Sequence, residues 1–276
     1  MTITRFIFVV VYFLLFGCGR KSISGSQAEA GRSMPMDSIT ILSYNIHHAN
    51  PPSKPGLIDV QAIADVVRRE QPHLVALQEI DVHTRRSGTV LHEAEEIGRL
   101  TGLKAYFARA IDHEGGEYGV AILSKYPIKD MKNTALPTDD NTKGEHRTLA
   151  SATIILPQGR KIIFACTHLD AQHSDVNRQL QVKKILEVFK NETLPVVLAG
   201  DLNDLPGSDV IRQLDSHFTR SCIENCPYTI PEISPTKTID YIAFTPAAKF
   251  TVLSHSVVNE TYASDHRPLK VLLQVR

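Results

Sequence analysis

Short apolar runs rich in β-branched residues recur along the chain from Ser38 onward and predict the strands of a layered fold. Several of these runs are apolar at successive positions, which is typical of strands covered on both faces. The predicted strands are ITILSYN, HLVALQEI, GVAILS, TLASATIIL, KIIFACTHL, LPVVLAGDLN, TIDYIAF and PLKVLLQV.

Three segments between these runs have the spacing of amphipathic helices. Leu57–Glu70 has an apolar face at Val60, Ile63 and Val67. Leu91–Leu100 is predicted as a further helix, and another is indicated by Val182, Ile185, Leu186 and Phe189. Because strands covered on both sides alternate with helices, and no repeat or linker divides them, we predict a single α/β domain over residues 38–276.

The first 37 residues follow a different pattern. Arg5 precedes an apolar run from Phe6 to Phe16, which predicts a secretory signal peptide at residues 1–17 and is too short for a spanning helix. The run ends in Leu-Phe-Gly-Cys, which resembles the bacterial lipobox, so Cys18 is the predicted lipidation site. An ordinary signal peptide with an incidental cysteine is the alternative. Residues 18–37 are polar and predict a flexible tether, so we expect a protein anchored to the cell envelope, in the periplasm or at the outer membrane.

Composition narrows the class of protein. Hydrophobic residues make up 42% and charged residues 22%, as in an ordinary soluble globular protein. Thirty basic and thirty acidic side chains give zero net charge, so we expect no stable nucleic-acid partner. We also expect a monomer. Four cysteines are too few for a disulfide scaffold, although Cys222 and Cys226 could pair outside the cytoplasm.

Polar residues stand where several apolar runs end. Asn45, Glu79, His168 and Asp201 each lie at or just beyond the end of a predicted strand. Functional side chains are often placed there, because a rigid strand passes into a loop. Each residue alone is equally compatible with an ordinary turn or a buried polar group.

Taken in order, six short motifs resemble the endonuclease/exonuclease/phosphatase superfamily of deoxyribonuclease-I-like, metal-dependent phosphoesterases. The likeness is greatest to its bacterial branch of metal-dependent hydrolases, and it runs from about Ile39 to the C-terminus. One motif is weakly specific, but six in the family order are strong. The resemblance implies a four-layer α/β sandwich, with two mixed sheets face to face and helices outside. The motifs are SYN (43–45), LQE (77–79), THLD (167–170), GDLN (200–203), IDY (239–241) and SDHRPL (264–269).

The same resemblance implies a metal site. Hydrolysis of a phosphate ester needs an activated water, neutralised phosphoryl oxygens and a stabilised leaving oxygen. Glu79 and Asn45 offer hard oxygen ligands that suit Mg²⁺ or Mn²⁺. By resemblance Glu79 is the principal ligand, Asn45 supports metal and phosphate, and Asp265 is a candidate ligand for a second metal. The cysteine spacing does not fit a zinc site.

By resemblance, His266 is the general base on the attacking water, and Asp240 orients its ring and stabilises the imidazolium. Asp201 and Asn203 align the nucleophile and contact a phosphoryl oxygen. His168 binds a non-bridging oxygen or assists the leaving group.

Several other residues are candidates with an ordinary alternative. Arg147 precedes a predicted strand, where related enzymes often carry a phosphate-facing arginine, although a surface charge fits nearly as well. Tyr118 and Cys166 are expected to be packing residues. His83, Arg85 and Arg86 form a basic cluster that could bind an anionic headgroup, with a solvated charge run as the default.

The sequence therefore predicts a divalent-metal-dependent phosphoesterase acting on a phosphodiester or phosphomonoester, with a small or lipid-headgroup substrate outside the cytoplasm. A secreted Mg²⁺-dependent endonuclease is the alternative. A non-catalytic binding module on the same fold would be expected to lack one or more of the motif residues, which are all present.

Overall fold

The computed structural model describes residue 2 and residues 38–276. The predicted signal peptide, Cys18 and the tether lie outside these residues. Within the described part of the chain, no helix has both the length and the hydropathy needed to cross a bilayer.

In residues 38–276, twelve strands form two mixed six-stranded sheets. The first sheet has the order β11-β12-β1-β2-β4-β3, and the second has the order β5-β6-β7-β8-β10-β9. The strands are β1 (Ser38–Asn45), β2 (Leu74–Val82), β3 (Lys104–His113), β4 (Gly116–Ser124), β5 (Ile128–Leu136), β6 (Arg147–Ile155), β7 (Lys161–His168), β8 (Val196–Asp201), β9 (Thr219–Arg220), β10 (Asp240–Thr245), β11 (Phe250–Val257) and β12 (Leu269–Val275).

Among the described residues, four α-helices cover the outer faces of the sheets: α1 (Val60–Glu70), α2 (Glu93–Thr101), α3 (Val176–Phe189) and α4 (Asp209–Asp215). Helix α1 begins three residues after the predicted start, because the Asp59 carboxylate accepts the backbone N–H of Ala62 and caps the helix there. Helix α4, of seven residues, was not predicted, since it is too short to show a periodic pattern.

Three separate apolar layers hold the sandwich together. Phe164, Ile122 and Val271 belong to the buried layer between the two sheets. Ile63 and Leu77 pack together between the first sheet and α1 and α2, whereas Val182 and Leu198 pack between the second sheet and α3 and α4. The predicted four-layer α/β sandwich is confirmed.

Edge strands account for most of the strands that the sequence did not reveal. β3, β5 and β11 each lie at the end of a sheet, and many of their side chains are half-buried or exposed. Such strands have no continuous apolar run to mark them, because water takes the place of a neighbouring layer.

Strand direction brings the functional candidates to one end of the molecule. β1 and β2 are parallel, as are β7 and β8, so the C-terminal end of each pair lies at one edge of its sheet. β12 runs antiparallel to β1, with Ser38 opposite Gln274 at the other end of β1.

Candidate active site

Asp201 is the centre of the candidate site. In the second sheet it lies beside His168 of β7 on one side and Asp240 of β10 on the other. His266 reaches the same place from the loop before β12: its Nδ1 is 2.9 Å from Asp240 Oδ2 and its Nε2 is 3.7 Å from Asp201 Oδ2. All four side chains are buried.

Asn45 links the two sheets across this end of the sandwich. Its side-chain amide Nδ2 lies 3.0 Å from Glu79 Oε1 on the neighbouring strand and 3.1 Å from Asp201 Oδ2 on the opposite sheet. The backbone oxygen of Asn45 accepts a hydrogen bond from Ser264 Oγ at 2.7 Å, which holds the loop that carries His266. One amide therefore ties both sheets to the same site.

A bulge directs Glu79 into the cleft. The register between β2 and β4 shifts from Gln78 to Ile80, and Glu79 has a backbone φ of 60°. Leu77 and Ile80 both pack in the layer beneath the outer helices, although alternation would place them on opposite faces. A bulge re-aims one side chain, and here that side chain is the carboxylate of Glu79.

Charges at the centre are close enough to change one another's protonation. Burial lowers the pKa of His266, but attraction and a hydrogen bond to Asp240, with the charges of Asp201 and Asp265, outweigh burial and raise the pKa to about 10. Burial and the nearby charge of Asp240 raise the pKa of Asp201 to about 7, against the opposing effects of His266 and of hydrogen bonds from Asn203 and Asn45. The cluster therefore retains protons at neutral pH.

Glu79 differs from Asp201 in its environment. Burial raises the pKa of Glu79, but His48 and the Asn45 amide favour the carboxylate and bring the pKa below its usual range. His48 Nδ1 lies 3.9 Å from Glu79 Oε2, and about a fifth of the Glu79 side chain is exposed. Glu79 is thus an ionised carboxylate open to the cleft.

His168 is held on both ring nitrogens. Arg147, which is also buried, places a guanidinium nitrogen (NH1) 3.2 Å from His168 Nδ1, and the Asn203 amide Nδ2 is 3.0 Å from His168 Nε2. Because Arg147 is buried, the alternative interpretation of this residue as an exposed surface charge is wrong. The same guanidinium nitrogen is 2.8 Å from Glu145 Oε1.

Asp265 lies at the margin of the site. Its side chain is half-buried, and its Oδ1 is 3.3 Å from Ser264 Oγ. Its charge is close enough to favour the imidazolium of His266.

The structure adds Tyr118, which the sequence indicated as a packing residue, to the surroundings of the site. Tyr118 is buried beneath the guanidinium of Arg86 and lies close enough to Glu79 and Arg147 to feel their charges. Burial, with Glu79, raises the pKa of its hydroxyl well above the usual range. No spacing in the sequence marks Tyr118 as a neighbour of Glu79, because register shifts in the pairing of β4 with both adjacent strands set its position.

The basic cluster after β2 divides into two parts. Arg86 donates two hydrogen bonds to the buried carboxylate of Asp81, at 2.7 Å and 2.9 Å, and so stabilises the loop after β2. His83 and Arg85 are exposed, as expected of solvated charge.

The three cysteines of the described residues have the places expected for them. Cys166 is fully buried between the sheets, and Cys222 is bonded to Cys226 in a disulfide.

Two sets of side chains could hold a divalent cation. Asp201, Asp240 and His266 each offer a ligand atom, and these atoms lie within 4.8 Å of one another. In that set, however, His266 Nδ1 is already engaged by Asp240 Oδ2. Glu79, which is ionised and partly exposed, has the hard oxygen chemistry that Mg²⁺ or Mn²⁺ prefers, and Asn45 lies beside it. The donor chemistry therefore fits a divalent cation.

Comparison with known proteins agrees with this architecture. Residues 42–266 match the model of the Endonuclease/Exonuclease/phosphatase family. The chain is 27% identical over 248 residues to the uncharacterized protein YbhP of Escherichia coli K12, a match that covers 84% of this chain and 94% of the relative.

Solved structures share the fold. One is an endonuclease/exonuclease/phosphatase from Beutenbergia cavernae, with 23% identity, a TM-score of 0.72, and coverage of 87% of this chain and 72% of that one. Another is a mannosyl-6-phosphatase from Bacteroides thetaiotaomicron, with 20% identity, a TM-score of 0.67, and coverage of 85% and 99%. The family match extends over most of the chain and over the whole candidate site. The chain therefore belongs to the endonuclease/exonuclease/phosphatase family, whose members are phosphoesterase hydrolases.

Proposed function

We propose that this protein is a divalent-metal-dependent phosphoesterase in which a general base activates water for attack on a phosphodiester or phosphomonoester. The observation that carries the proposal is the buried cluster of Asp201, Asp240 and His266 beside the ionised carboxylate of Glu79. A buried histidine paired with a carboxylate is suited to proton transfer, and the neighbouring oxygen ligands are suited to a hard cation.

In this mechanism Glu79, Asn45 and Asp265 would hold the cation. When bound, the cation supplies neutralisation of the phosphoryl oxygens and, by repulsion, a lower pKa for His266. Asp240 accepts the Nδ1–H of His266 and so leaves Nε2 as the atom that exchanges a proton with the water. Asp201, with a pKa of about 7 and 3.7 Å from Nε2, aligns the water together with Asn203.

The substrate we propose is a small or lipid-headgroup phosphate ester. The chain has zero net charge, which disfavours a long polyanion as the principal substrate. Tyr118 and Arg147 lie beside Glu79 and His168, which supports a compact polar substrate at this site.

The test is a screen of the purified protein with added Mg²⁺ or Mn²⁺ on bis-p-nitrophenyl phosphate, p-nitrophenyl phosphate, plasmid DNA, sphingomyelin and inositol phosphates. We expect chelator-sensitive hydrolysis of at least one small ester or lipid and little nicking of plasmid DNA. Glu79→Gln should abolish the activity, whereas Arg99→Gln, an exposed change on α2, should not. Efficient plasmid cleavage would establish the endonuclease alternative. Full activity after chelation would rule out the cation.

We further propose that the protein acts outside the cytoplasm, anchored through Cys18. The apolar run from Phe6 to Phe16 and the bond between Cys222 and Cys226 support this, because disulfides persist in oxidising compartments. Metabolic labelling with a fatty acid should mark the protein, and Cys18→Ser should remove the label. A labelled Cys18→Ser variant, or an unlabelled wild-type product, would contradict the anchor.

A further inference from the structure

His168 lies between two hydrogen-bond donors. Arg147 faces its Nδ1 at 3.2 Å and the Asn203 amide nitrogen faces its Nε2 at 3.0 Å. A guanidinium and an amide nitrogen donate and do not accept, so an imidazolium would direct N–H groups at both of them. His168 is a neutral ring.

A neutral imidazole carries one proton, and its two neighbours here are unequal. A proton on Nδ1 would face a permanent cation. A proton on Nε2 faces only a neutral amide, whose own hydrogen has an acceptor in the Leu169 backbone oxygen at 3.0 Å. Nε2 also lies 3.5 Å from Asp201 Oδ2, and a nearby carboxyl oxygen favours the proton on that nitrogen. Because a bond from a charged donor is roughly twice as strong as a neutral one, the Arg147 contact decides the tautomer.

We propose that Arg147 is a positioning residue that fixes His168 as the Nε2–H tautomer, so that His168 presents a hydrogen-bond donor to the phosphate group and does not act as a base through Nε2. The role in catalysis rests on the phosphoesterase function proposed above. Glu145, 2.8 Å from the same guanidinium nitrogen, holds Arg147 in place. Arg147 then acts through His168, which differs from the direct substrate contact expected from the sequence.

The tautomer is measurable without any activity. Nitrogen-15 NMR of the ring nitrogens of the full chain should show an unprotonated Nδ1 and a protonated Nε2 at neutral pH. Arg147→Met should shift His168 toward a mixture of tautomers, and Arg99→Met, a matched change at an exposed arginine, should leave the spectrum of His168 unchanged. A protonated Nδ1 in the wild-type protein would overturn the proposal.

Replacements of His168 test which nitrogen matters. The amide nitrogen of glutamine reaches the position of Nε2, whereas that of asparagine reaches the position of Nδ1. Loss of one preorganised donor to developing charge costs about 10²- to 10³-fold in kcat. We expect His168→Gln to retain activity within about tenfold of wild type, with His168→Asn and His168→Ala in that lower range. Equal losses for the glutamine and asparagine variants would contradict a donor at Nε2.

A double-mutant cycle separates action through His168 from direct binding of the substrate. Arg147→Met in the wild-type background should lower kcat by about tenfold with little change in KM. In the His168→Gln background the same change should cost about twofold or less, because a glutamine amide has no tautomer to fix. An undiminished cost, or a loss expressed only in KM, would show that Arg147 contacts the substrate itself. If no substrate is hydrolysed by the wild type, the proposed function fails, and the NMR result still decides the tautomer.

Discussion

His266 donates its Nδ1–H to Asp240 across 2.9 Å, and both side chains are buried, at 4% and 1% exposure. The other ring nitrogen of His266, Nε2, faces Asp201. The pairing leaves Nε2 as the only ring atom that can exchange a proton with a bound water.

The first prediction concerns that pair. His266→Ala should lower turnover by about 10³-fold or more, and Asp240→Asn by up to about 10⁴-fold, because the ring loses its charge partner and its fixed tautomer. The double variant should be little worse than His266→Ala, since groups that act as one unit are not additive. Steady-state rates on the best ester of the screen, with thermal melts to confirm folding, provide the measurement. If His266→Ala keeps more than about a tenth of the rate, a deficit of some 1.4 kcal/mol, His266 is not the base. Asp201, whose pKa is near 7, would then be the remaining acceptor.

The second prediction separates the two sets of possible metal ligands. Calorimetric titration with Mn²⁺ should show binding weakened by tenfold or more in Glu79→Gln and little changed in His266→Ala. The reason is that Glu79→Gln replaces a charged oxygen ligand with a neutral amide, whereas the His266 ring is hydrogen-bonded to Asp240. Glu95→Gln, at an exposed glutamate of α2, is the matched control. The reverse order of effects would place the ion among Asp201, Asp240 and His266.

The third prediction follows from the raised pKa of Asp201, which is about 7 in the folded protein and about 3.9 in an unfolded chain. A carboxyl with a raised folded-state pKa contributes stability that is complete below its unfolded pKa and lost as the pH rises through its folded pKa. The Asp201→Asn variant does not lose stability in this way, because the asparagine side chain does not titrate. Its free energy of unfolding, relative to wild type, should therefore increase by roughly 2–3 kcal/mol between pH 5 and pH 8. Urea denaturation in chelator measures it, with the exposed change Glu187→Gln as control. A difference that is constant across this range would contradict the predicted shift.

The fourth prediction tests the close approach of β3 and β4 beside Tyr118. A Cβ added to Gly119 would clash with the backbone oxygen of Ala108, so the two strands must separate. Gly119→Ala should lower the free energy of unfolding by about 1–3 kcal/mol, as overpacking does. It should also reduce activity by displacing Tyr118. Calorimetric melting gives the stability, and an unchanged melting temperature would show that the strands are farther apart than described.

Interior strands could be predicted from the sequence because burial on both faces leaves an apolar run, as in KIIFACTHL. The convergence of Asn45, Glu79, His168 and Asp201 was predictable for the same reason, since each ends such a run and parallel strands end at one edge. The contribution of Tyr118 was not predictable, because bulges alter the alternation that a sequence pattern assumes. The ion pair of Arg86 with Asp81 could not be predicted from the sequence either, since Asp81 is buried within an apolar strand.

The pairing of β1 with β12 has a practical consequence for experiments. Ser38 lies beside Gln274, and both are seven strand positions from the level of Asn45, about 23 Å at 3.3 Å per residue. A resin, a fluorophore or a fusion partner joined at either end of the domain is thus attached away from the mouth of the cleft. Immobilised protein should accordingly turn over a soluble ester at the rate of free protein, whichever end is attached.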